Sequence, residues 1–512
     1  MLERTGTLPP GSAGSDLAEP PARVSLAERG DLRHAPADAL RWPISIWLLS
    51  VIALAATLLS LILDSQTRYH LGDSATFLLT AWPDSLPRSR SWLYGLFATD
   101  ALGFAGDVSI IPKLQVALKA GAALLLAVAV MRRFGAPLVA GALLVLVILA
   151  DPLSAWWARS IMADTLATAA LCLTLAAAFW PGLPAPLRAL AVFVSALLLF
   201  FLRNVHAVPV AMAGVFYAVV CWSGGRWVPS LARARREALA VAIPLVAAVG
   251  AFAALNAWIL DLPRIALSHE PARFVLGAAS PLLAGQEELI PLPPERMAIL
   301  LPFERPLRNA HSFAPNGLAE QLLAEHGAAA DGIGLRLARA ALAAAPDRAL
   351  LLWGRNWAEH LDPRKVWASH VQGRYSGAIA GGTPVRLEAV TLERLEALGV
   401  WQDPRDDWPS RDSPALRWLR LGGGVSALII AWAATLALPL ILATRLRRVP
   451  AAWLTAGLAT ALMGFLAATG NNYLSRYLIA ALPPLLVLAA LWMRPQPGCC
   501  RQAADAGARR PV

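Results

Sequence analysis

One aspartate, Asp73, lies among small and apolar neighbours in the segment "RYHLGDSATFLL" (residues 68–79), just after a long apolar run. A carboxylate held against an apolar surface has a raised pKa unless a cation pairs with it, and either state makes it a usable base or ligand. Aspartate is also among the best N-cap residues, and "SATFLL" can begin a helix. Asp73 is therefore a candidate general base, with a helix cap as the alternative.

A second acid stands in the turn "WWARSIMADTLAT" (residues 156–168), where Asp164 begins an apolar run and Arg159 precedes it by five positions. A negative residue at a helix start gains from the helix dipole, so Asp164 can also be a cap. The chain has only 34 Asp and Glu in 512 residues. A second acid beside an apolar run is thus a candidate for ligand binding.

Other ionisable side chains lie at the edges of apolar runs or inside them. Arg203 and His206 stand in "LRNVHAVP" with no hydrophilic loop around them, Lys119 lies within an apolar run, and Arg476 stands in "NNYLSRYLIAALPPLL". Ionisable groups at such depth usually face the bundle interior or a wet cavity and pair with a partner. Snorkelling towards lipid headgroups is the alternative interpretation.

Arginines also stand beside aromatic residues in "LPRSRSWLYGLF" (residues 86–97), where Arg88 and Arg90 precede Trp92 and Tyr94. Guanidinium groups form bidentate bonds with phosphate oxygens, so the pair suits a lipid phosphate or diphosphate. Arginines with aromatic side chains at a membrane edge are equally typical of plain interfacial anchors.

The elements that must position these residues are apolar helices. The chain is 57% hydrophobic and only 15% charged, and its apolar residues form blocks of about 17–23, long enough to cross the roughly 30 Å hydrocarbon core of a bilayer. We predict an all-α polytopic membrane protein with about ten transmembrane helices. The spans are predicted at 42–63, 113–131, 134–150, 162–180, 187–202, 205–222, 238–260, 420–442, 450–468 and 474–492.

Basic loops indicate the orientation, since Lys and Arg accumulate on the cytoplasmic side. The loops that contain Arg132, Arg226, Arg445 and Arg494 fall on one face in the ten-span arrangement, which predicts cytoplasmic termini and explains the net charge of +11 without nucleic acid. The predicted parts are a disordered cytoplasmic segment (1–41), a transmembrane module (42–260) with a first outer loop (64–112), an outer-face domain (261–419), C-terminal transmembrane helices (420–493) and a cytoplasmic tail (494–512).

The outer-face domain is predicted to be small and mainly helical. Amphipathic patterns occur at 318–326, 332–344, 347–360 and 387–398, separated by turns rich in Pro and Gly. The chain has no GxGxxG, GxxxxGK[ST], HExxH or GxSxG motif, which disfavours nucleotide hydrolysis, zinc proteolysis and serine hydrolysis. His269, Glu270 and His311 lack metal-ligand spacing, so no metal site is predicted.

Three of these features together resemble the C-type glycosyltransferase superfamily, which includes polyprenyl-phosphate-sugar-dependent mannosyltransferases and the aminoarabinose transferases of lipid A. They are the acid in the first outer loop, the Arg-x-x-x-x-Asp turn before the fourth span, and the last span entered by "SRYL" and then "LPP". The resemblance covers residues 42–260 and the last span. Many members have Glu after the first-loop Asp, whereas this chain has Ser74.

The resemblance implies transfer of a sugar from a polyprenyl-phosphate carrier to a glycan, lipid or protein acceptor at the outer face. Asp73 would be the general base, and Asp164 the second acid that helps to hold the site or the acceptor. The carrier phosphate would be held by Arg203, His206 and Arg476. Further candidates for substrate binding are Arg159, Lys119, Arg88 and Arg90. A membrane lipid donor is implied. The sequence identifies no cofactor and leaves open whether a divalent metal takes part.

Two other classes of function stay open at this stage. A transporter or flippase could line its path with the same ionisable residues. However, these residues lie at the outer edge of the predicted spans, and the chain shows no repeat of the kind that transporters have. A polymerase or ligase of lipid-linked glycans would also use arginines and a large outer domain. The working hypothesis is a bacterial inner-membrane glycosyltransferase whose active site faces the periplasm.

Overall fold

A computed structural model describes residues 35–63, 67, 74, 77–78, 92–105, 108–223, 231–260, 265, 267, 271–370, 393, 414–469 and 475–494. The chain divides into two compact units, Met1–Trp47 and Leu48–Val512. The described part of the first unit is helical. The described part of the second is built of α-helices and short 3-10 segments without β-strands.

The helices before residue 261 are mostly long and apolar. They are α1 (Ala35–Leu63), α2 (Trp92–Ala105), α3 (Ile110–Phe134), α4 (Leu138–Ala150), α5 (Pro152–Ala158), α6 (Asp164–Phe179), α7 (Ala185–Leu202), α8 (Ala207–Ser223) and α9 (Leu231–Ile259).

The later helices form a group of mostly short helices and then return to long apolar ones. They are α10 (Pro271–Ala279), α11 (Pro294–Met297), α12 (Ala310–Phe313), α13 (Leu318–His326), α14 (Ala330–Ala344), α15 (Pro346–Leu361), α16 (Pro363–His370), α17 (Pro414–Ala443), α18 (Pro450–Thr469) and α19 (Leu482–Met493).

Within the described residues, eight helices are long and apolar enough to cross a membrane, or nine if α4 and α5 count as one bent span. The predicted all-α, multi-pass architecture is therefore confirmed in this part of the chain. The predicted span 162–180 corresponds to α6, whose 16 residues extend about 24 Å, less than the roughly 30 Å of a bilayer core. The apolar helix α2 was not predicted as an element.

The span predicted at 134–150 continues into α5 through a 50° bend. Proline disfavours helical backbone in the residue before it and is well suited to a first helical turn, where it needs no N–H partner. Asp151 accordingly leaves helical conformation (φ −52°, ψ 127°), and its side chain accepts a hydrogen bond from the Ser154 N–H at 2.9 Å. The pair Asp151-Pro152 thus ends one helix and caps the next.

The centre of the bundle is α6, which packs along α3 on one side and α7 on another. Nearly all side chains of α6 are buried, as expected for a helix that is apolar around its whole circumference. Because α6 begins at Asp164, this carboxylate is carried into the interior at one end of the bundle. We call this end the domain end, since residues 271–370 follow α9 there.

The 271–370 domain has its own hydrophobic core, which includes Leu276, Leu283, Leu318, Leu322 and Leu337. Helices α13, α14 and α15 correspond to the amphipathic patterns predicted at 318–326, 332–344 and 347–360. The pattern at 387–398 lies outside the described residues, except for one helical position.

Two histidines of this domain are buried. Burial, with a smaller effect of the nearby Arg308, lowers the pKa of His360 to about 4, although Glu359 acts in the opposite direction. Burial also lowers the pKa of His311. Both imidazoles are therefore neutral in the folded domain at neutral pH.

We expect the domain to lose stability on acidification. Unfolded histidine binds its proton near about pH 6.5, whereas the folded domain binds it only at lower pH, so the unfolded state holds more protons in this interval. The free energy of unfolding is therefore at its full value above about pH 6.5. Below this pH it falls by at most about 1.4 kcal/mol per pH unit for each histidine. The loss due to His360 levels off below about pH 4, where the folded domain is protonated as well.

Hydrogen exchange of residues 310–361 in the intact protein, corrected for the intrinsic pH dependence of exchange, measures this loss. His360→Gln should flatten the pH dependence, whereas Ala324→Ser, at an exposed position of the same domain without an ionisable group, should leave it unchanged. An equal slope in wild type and His360→Gln would contradict the assignment to His360.

Candidate functional site

Asp164 and Arg203 form a buried ion pair at the domain end of the bundle. The Nη2 and Nε atoms of Arg203 lie 2.7 and 3.1 Å from Oδ1 of Asp164. The two side chains are 5% and 7% exposed. The N-cap of α6 is Ala163, and Asp164 is the first residue of the helix, so the structure does not place Asp164 at the cap position. Its other oxygen, Oδ2, is buried with no hydrogen-bond partner among the described residues, which leaves one acceptor unused.

Local backbone geometry turns Arg203 towards this acid. Arg203 ends α7 in extended conformation (φ −149°, ψ 96°), and a 3-10 turn over Asn204–His206 leads directly into α8. This abrupt ending directs the guanidinium sideways instead of along the helix axis. His206 is buried one turn later, within electrostatic range of Arg203 and Asp164.

A third segment joins the pair from far along the chain. Arg476 and Tyr477 stand at the start of the 3-10 segment Ser475–Ala481, which leads into α19. The guanidinium carbon of Arg203 lies 5.2 Å from the centroid of the Tyr477 ring, and that of Arg476 lies 4.9 Å from it. Such distances are typical of cation–π contacts. The Tyr477 ring therefore contacts both arginines, and we call these four residues, Asp164, Arg203, Arg476 and Tyr477, the central cluster.

Arg476 makes further contacts that fix its position. Its Nη2 donates to the Tyr477 hydroxyl at 3.1 Å, and its Nη1 contacts the sulfur of Met162 at 3.6 Å. Met162 lies two residues before Asp164, in the same turn that Arg159 begins. The central cluster thus joins the start of α6, the end of α7 and the segment before α19, and it contributes two positive charges and one negative.

The described part of the first loop is linked to the same turn. Ser74, Phe77 and Leu78 are buried. The Phe77 ring packs edge-on against Tyr94 at 5.0 Å. Asp73, Arg88 and Arg90 lie outside the described residues. Ser74, the immediate neighbour of Asp73, is thus enclosed in the bundle rather than exposed on a free loop.

Tyr94 continues this chain of contacts. Its hydroxyl donates to Oε1 of Gln115 at 2.6 Å, and Nε2 of Gln115 donates to the Ser160 carbonyl at 3.0 Å. Ser160 lies four residues before Asp164. The contacts therefore run from the first loop through α2 and α3 to the turn that carries the central cluster.

Arg159 contacts the first helix instead of the central cluster acid. Its Nη2 donates to the backbone carbonyl and the hydroxyl of Ser60 in α1. Ser60 also lines a cavity of about 410 Å³ between α1, α4, α5 and α17. The other lining residues are apolar: Ile52, Ala55, Ala56, Leu59, Leu146, Ala150, Ala155, Trp418 and Leu419.

Lys119 lies at the bend between α4 and α5. Its Nζ donates to the Ser154 hydroxyl at 3.0 Å, and that hydroxyl donates to the Ile148 carbonyl at 2.9 Å, close to where the bend interrupts the helix. Ser426 of α17 donates to the Asp151 carboxylate on the other side of the bend. Among the described residues Lys119 has no hydrogen bond or ion pair with the central cluster, so its geometry favours a role in holding the bend.

We expect Lys119→Met to leave activity within about threefold of wild type, because Lys119 does not bond to the central cluster and the Ser154 hydroxyl keeps its bond to the Ile148 carbonyl. Ser154→Ala should lower the free energy of unfolding by about 1–3 kcal/mol, more than Lys119→Met does. It leaves the amine of Lys119 and the Ile148 carbonyl buried without their shared partner. Thermal unfolding in micelles, together with an activity assay, compares the two. A large activity loss in Lys119→Met with unchanged stability would restore Lys119 as a substrate ligand.

Sequence reasoning missed Tyr477 and Gln115, and it interpreted Tyr94 as an aromatic at the membrane edge, whereas its side chain is fully buried. Tyr477 could have been found as the neighbour of Arg476 in "SRYL", since an aromatic ring beside an arginine at a span end often makes a cation–π contact. Gln115 carried a weaker signal, a polar residue within an apolar run.

No family model, curated protein or solved structure matches the chain. In the described part of the chain, no three His, Cys, Asp or Glu side chains are grouped as ligands of a metal ion would be. The features of the molecule that bear on function are the central cluster, the linked first loop and the apolar cavity.

Proposed function

We propose that the protein is an integral membrane glycosyltransferase, which moves a sugar from a polyprenyl-phosphate carrier to an acceptor at the domain end of the bundle. The observation that carries the proposal is the central cluster. Two arginines, one ring and one acid from three distant segments meet in a buried place at a span boundary. A lipid phosphate is the ligand that suits two guanidinium groups at this depth.

The chemistry would be a single inverting displacement. The acceptor oxygen or nitrogen attacks the anomeric carbon while a base takes its proton, and the bond from that carbon to the phosphate oxygen breaks. The electron pair leaves with polyprenyl phosphate, which gains one negative charge as it departs. Asp73 is our candidate base, and Arg476 and Arg203 would stabilise the phosphate. Asp164 would act as a positioning residue for Arg203.

The apolar cavity supports a lipid donor. It lies among α1, α4, α5 and α17, and its one polar lining residue, Ser60, accepts a hydrogen bond from Arg159. Arg159 and Asp164 belong to the same turn, so a carrier with its phosphate at the central cluster would have apolar space for its tail on the neighbouring side of that turn.

The test uses the purified full-length protein in proteoliposomes with labelled polyprenyl-phosphate sugars of different sugar identity. We expect release of polyprenyl phosphate together with a labelled acceptor from at least one donor. Movement of the intact labelled lipid across the bilayer, without cleavage of any donor, would contradict the proposal and favour a flippase. Joining of whole lipid-linked glycans would favour a polymerase or ligase.

Arg476→Gln should lower the turnover rate by about 10- to 100-fold, because a hydrogen bond to a charged group contributes about 1.5–3 kcal/mol. The charge on the phosphate grows as the sugar leaves, so kcat should fall more than KM rises. Steady-state kinetics with the active donor measures this split. Arg445→Gln, at an exposed arginine before α18, is the control. Equal kinetics of both variants would remove Arg476 from the phosphate site.

A further inference from the structure

One helix of the 271–370 domain presents apolar side chains that no described part of the protein covers. In α15, Leu350 is 67% exposed, Leu351 is 61% exposed and Trp353 is 40% exposed. Asn356 and His360, three and seven positions after Trp353, are buried, so Trp353 lies at the border between the docked side of the helix and the exposed side that carries Leu350 and Leu351. The helix is thus strongly amphipathic, but its apolar face points away from the domain core.

Three hydrogen bonds attach α15 to the membrane-spanning helices. Trp353 Nε1 donates to the Gly464 carbonyl at 3.0 Å, and Asn356 Nδ2 donates to the Ala467 carbonyl at 3.1 Å, both in α18. Trp357 Nε1 donates to the Thr435 hydroxyl of α17 at 2.9 Å. Gly464 lies five residues before the end of α18, or about 8 Å along the axis at about 1.5 Å per residue. The two bonds to α18 hold α15 at the level of the last turns of that span, and the bond to Thr435 reaches deeper, to a position whose neighbour Ala434 accepts from Thr460 of α18.

The lack of a side chain at Gly464 permits this close approach. A Cβ atom there would lie 3.2 Å from the Trp357 ring and 3.8 Å from the Trp353 ring. The two indoles pack edge to face with ring centroids 5.3 Å apart. Helix α15 therefore packs closely against α18 at Gly464.

The exposed face of α15 adjoins the exposed face of a span. Thr435, which binds Trp357, is flanked in α17 by Trp432 and Leu436, which are 46% and 43% exposed, and Ile429 one turn earlier is 62% exposed. Such side chains on a span face lipid. The apolar surface of α15 thus continues the lipid-facing surface of α17.

Cations surround the C-terminal end of α15. Arg305, Arg308 and Lys365 all pair with the one carboxylate of Glu359, which leaves an excess of positive charge. Arg308 also donates to Asn356, the residue that bonds to Ala467 near the end of α18. The cations therefore lie at the level where α18 ends, which is where lipid phosphates are found.

We propose that α15 is an interfacial helix, with its Leu350, Leu351 and Trp353 face inserted into the lipid leaflet at the domain end and its Glu359-centred cations at the phosphates. Interfacial amphipathic helices combine such an apolar face with basic residues and indole rings at the headgroup level. Arg355, one turn from Leu351 and exposed, can reach headgroups by snorkelling.

The experiment attaches a bimane fluorophore to Leu351→Cys in a Cys499→Ser/Cys500→Ser background of the full chain, reconstituted in phospholipid nanodiscs. Cys172 and Cys221 are buried and are kept. Quenching by lipids with a spin label in the upper acyl chain is compared with quenching by aqueous iodide. The lipid-facing reference is Ile429→Cys in α17, and the aqueous reference is Ala324→Cys, an exposed residue in α13.

We expect position 351 to behave like position 429, with lipid quenching severalfold stronger than iodide quenching. Behaviour like that of position 324 would overturn the proposal. All three labelled residues are exposed, so the variants should fold, and a monodisperse elution profile checks this. Because the readout does not involve sugar transfer, it stands whether or not the proposed activity is found.

Discussion

Replacing Arg203 with methionine is expected to destabilise the folded protein by about 3–5 kcal/mol, since it leaves the Asp164 carboxylate buried without its cation. Arg203 supplies both hydrogen bonds that the structure shows for this carboxylate. No other described side chain hydrogen-bonds to it. The loss of one partner therefore costs far more than the net contribution of the intact pair.

The double variant Asp164→Leu/Arg203→Met should recover most of this loss, because it removes both charges from the interior. The matched control is Arg133→Met, which breaks the pair with Glu237 (2.7 Å), whose side chains are 24% and 26% exposed, and should cost about 1 kcal/mol, far less than the buried pair. Chemical unfolding in micelles gives the three free energies. A double variant as unstable as Arg203→Met would contradict this explanation.

Asp73→Asn is expected to lower sugar transfer by about 10²- to 10⁴-fold, the usual contribution of a positioned general base. An amide of the same shape cannot accept the proton of the acceptor. The neighbouring Ser74 and Phe77 are buried and linked through Tyr94 to the turn before Asp164. This supports a defined position for the segment that follows Asp73, the proposed base.

The assay compares the purified variant with wild type on the active donor, and equal unfolding free energies show that folding is intact. Asp100→Asn is the control, because Asp100 is an exposed acid of α2. Undiminished transfer by Asp73→Asn would remove Asp73 as the base. If acceptors with a lower pKa partly restore the rate of sugar transfer by Asp73→Asn, proton transfer is the step that the substitution affects.

Most of the bundle could be predicted from the sequence, because an apolar run of sufficient length has few alternatives to a membrane-spanning helix. The meeting of Asp164, Arg203 and Arg476 at one end of the bundle was likewise suggested by their common place at span ends. The predicted span 134–150 ends where the bend lies, but the helix that resumes at Pro152 was not predicted, because the short segment between Asp151 and Asp164 has the pattern of a turn.

Contacts between distant segments could not be predicted. Met162 and Arg476 are separated by 314 positions, and nothing in either neighbourhood specifies the other. An isolated lysine in an apolar run suggests function, and Lys119 stays a predicted ligand. Its contact with Ser154, 35 positions away, could not be predicted, because it depends on the helix that resumes after the bend.

The buried pair of Asp164 and Arg203 also constrains how this protein can evolve. The buried charge of each residue is stabilised by the other, so a single substitution at either position gives a poorly folded protein. This holds for whichever residue is substituted first, since a buried arginine without its carboxylate and a buried aspartate without its cation are both strongly unfavourable. The two positions are therefore expected to be inherited together or exchanged together, as a case of sign epistasis set by one contact.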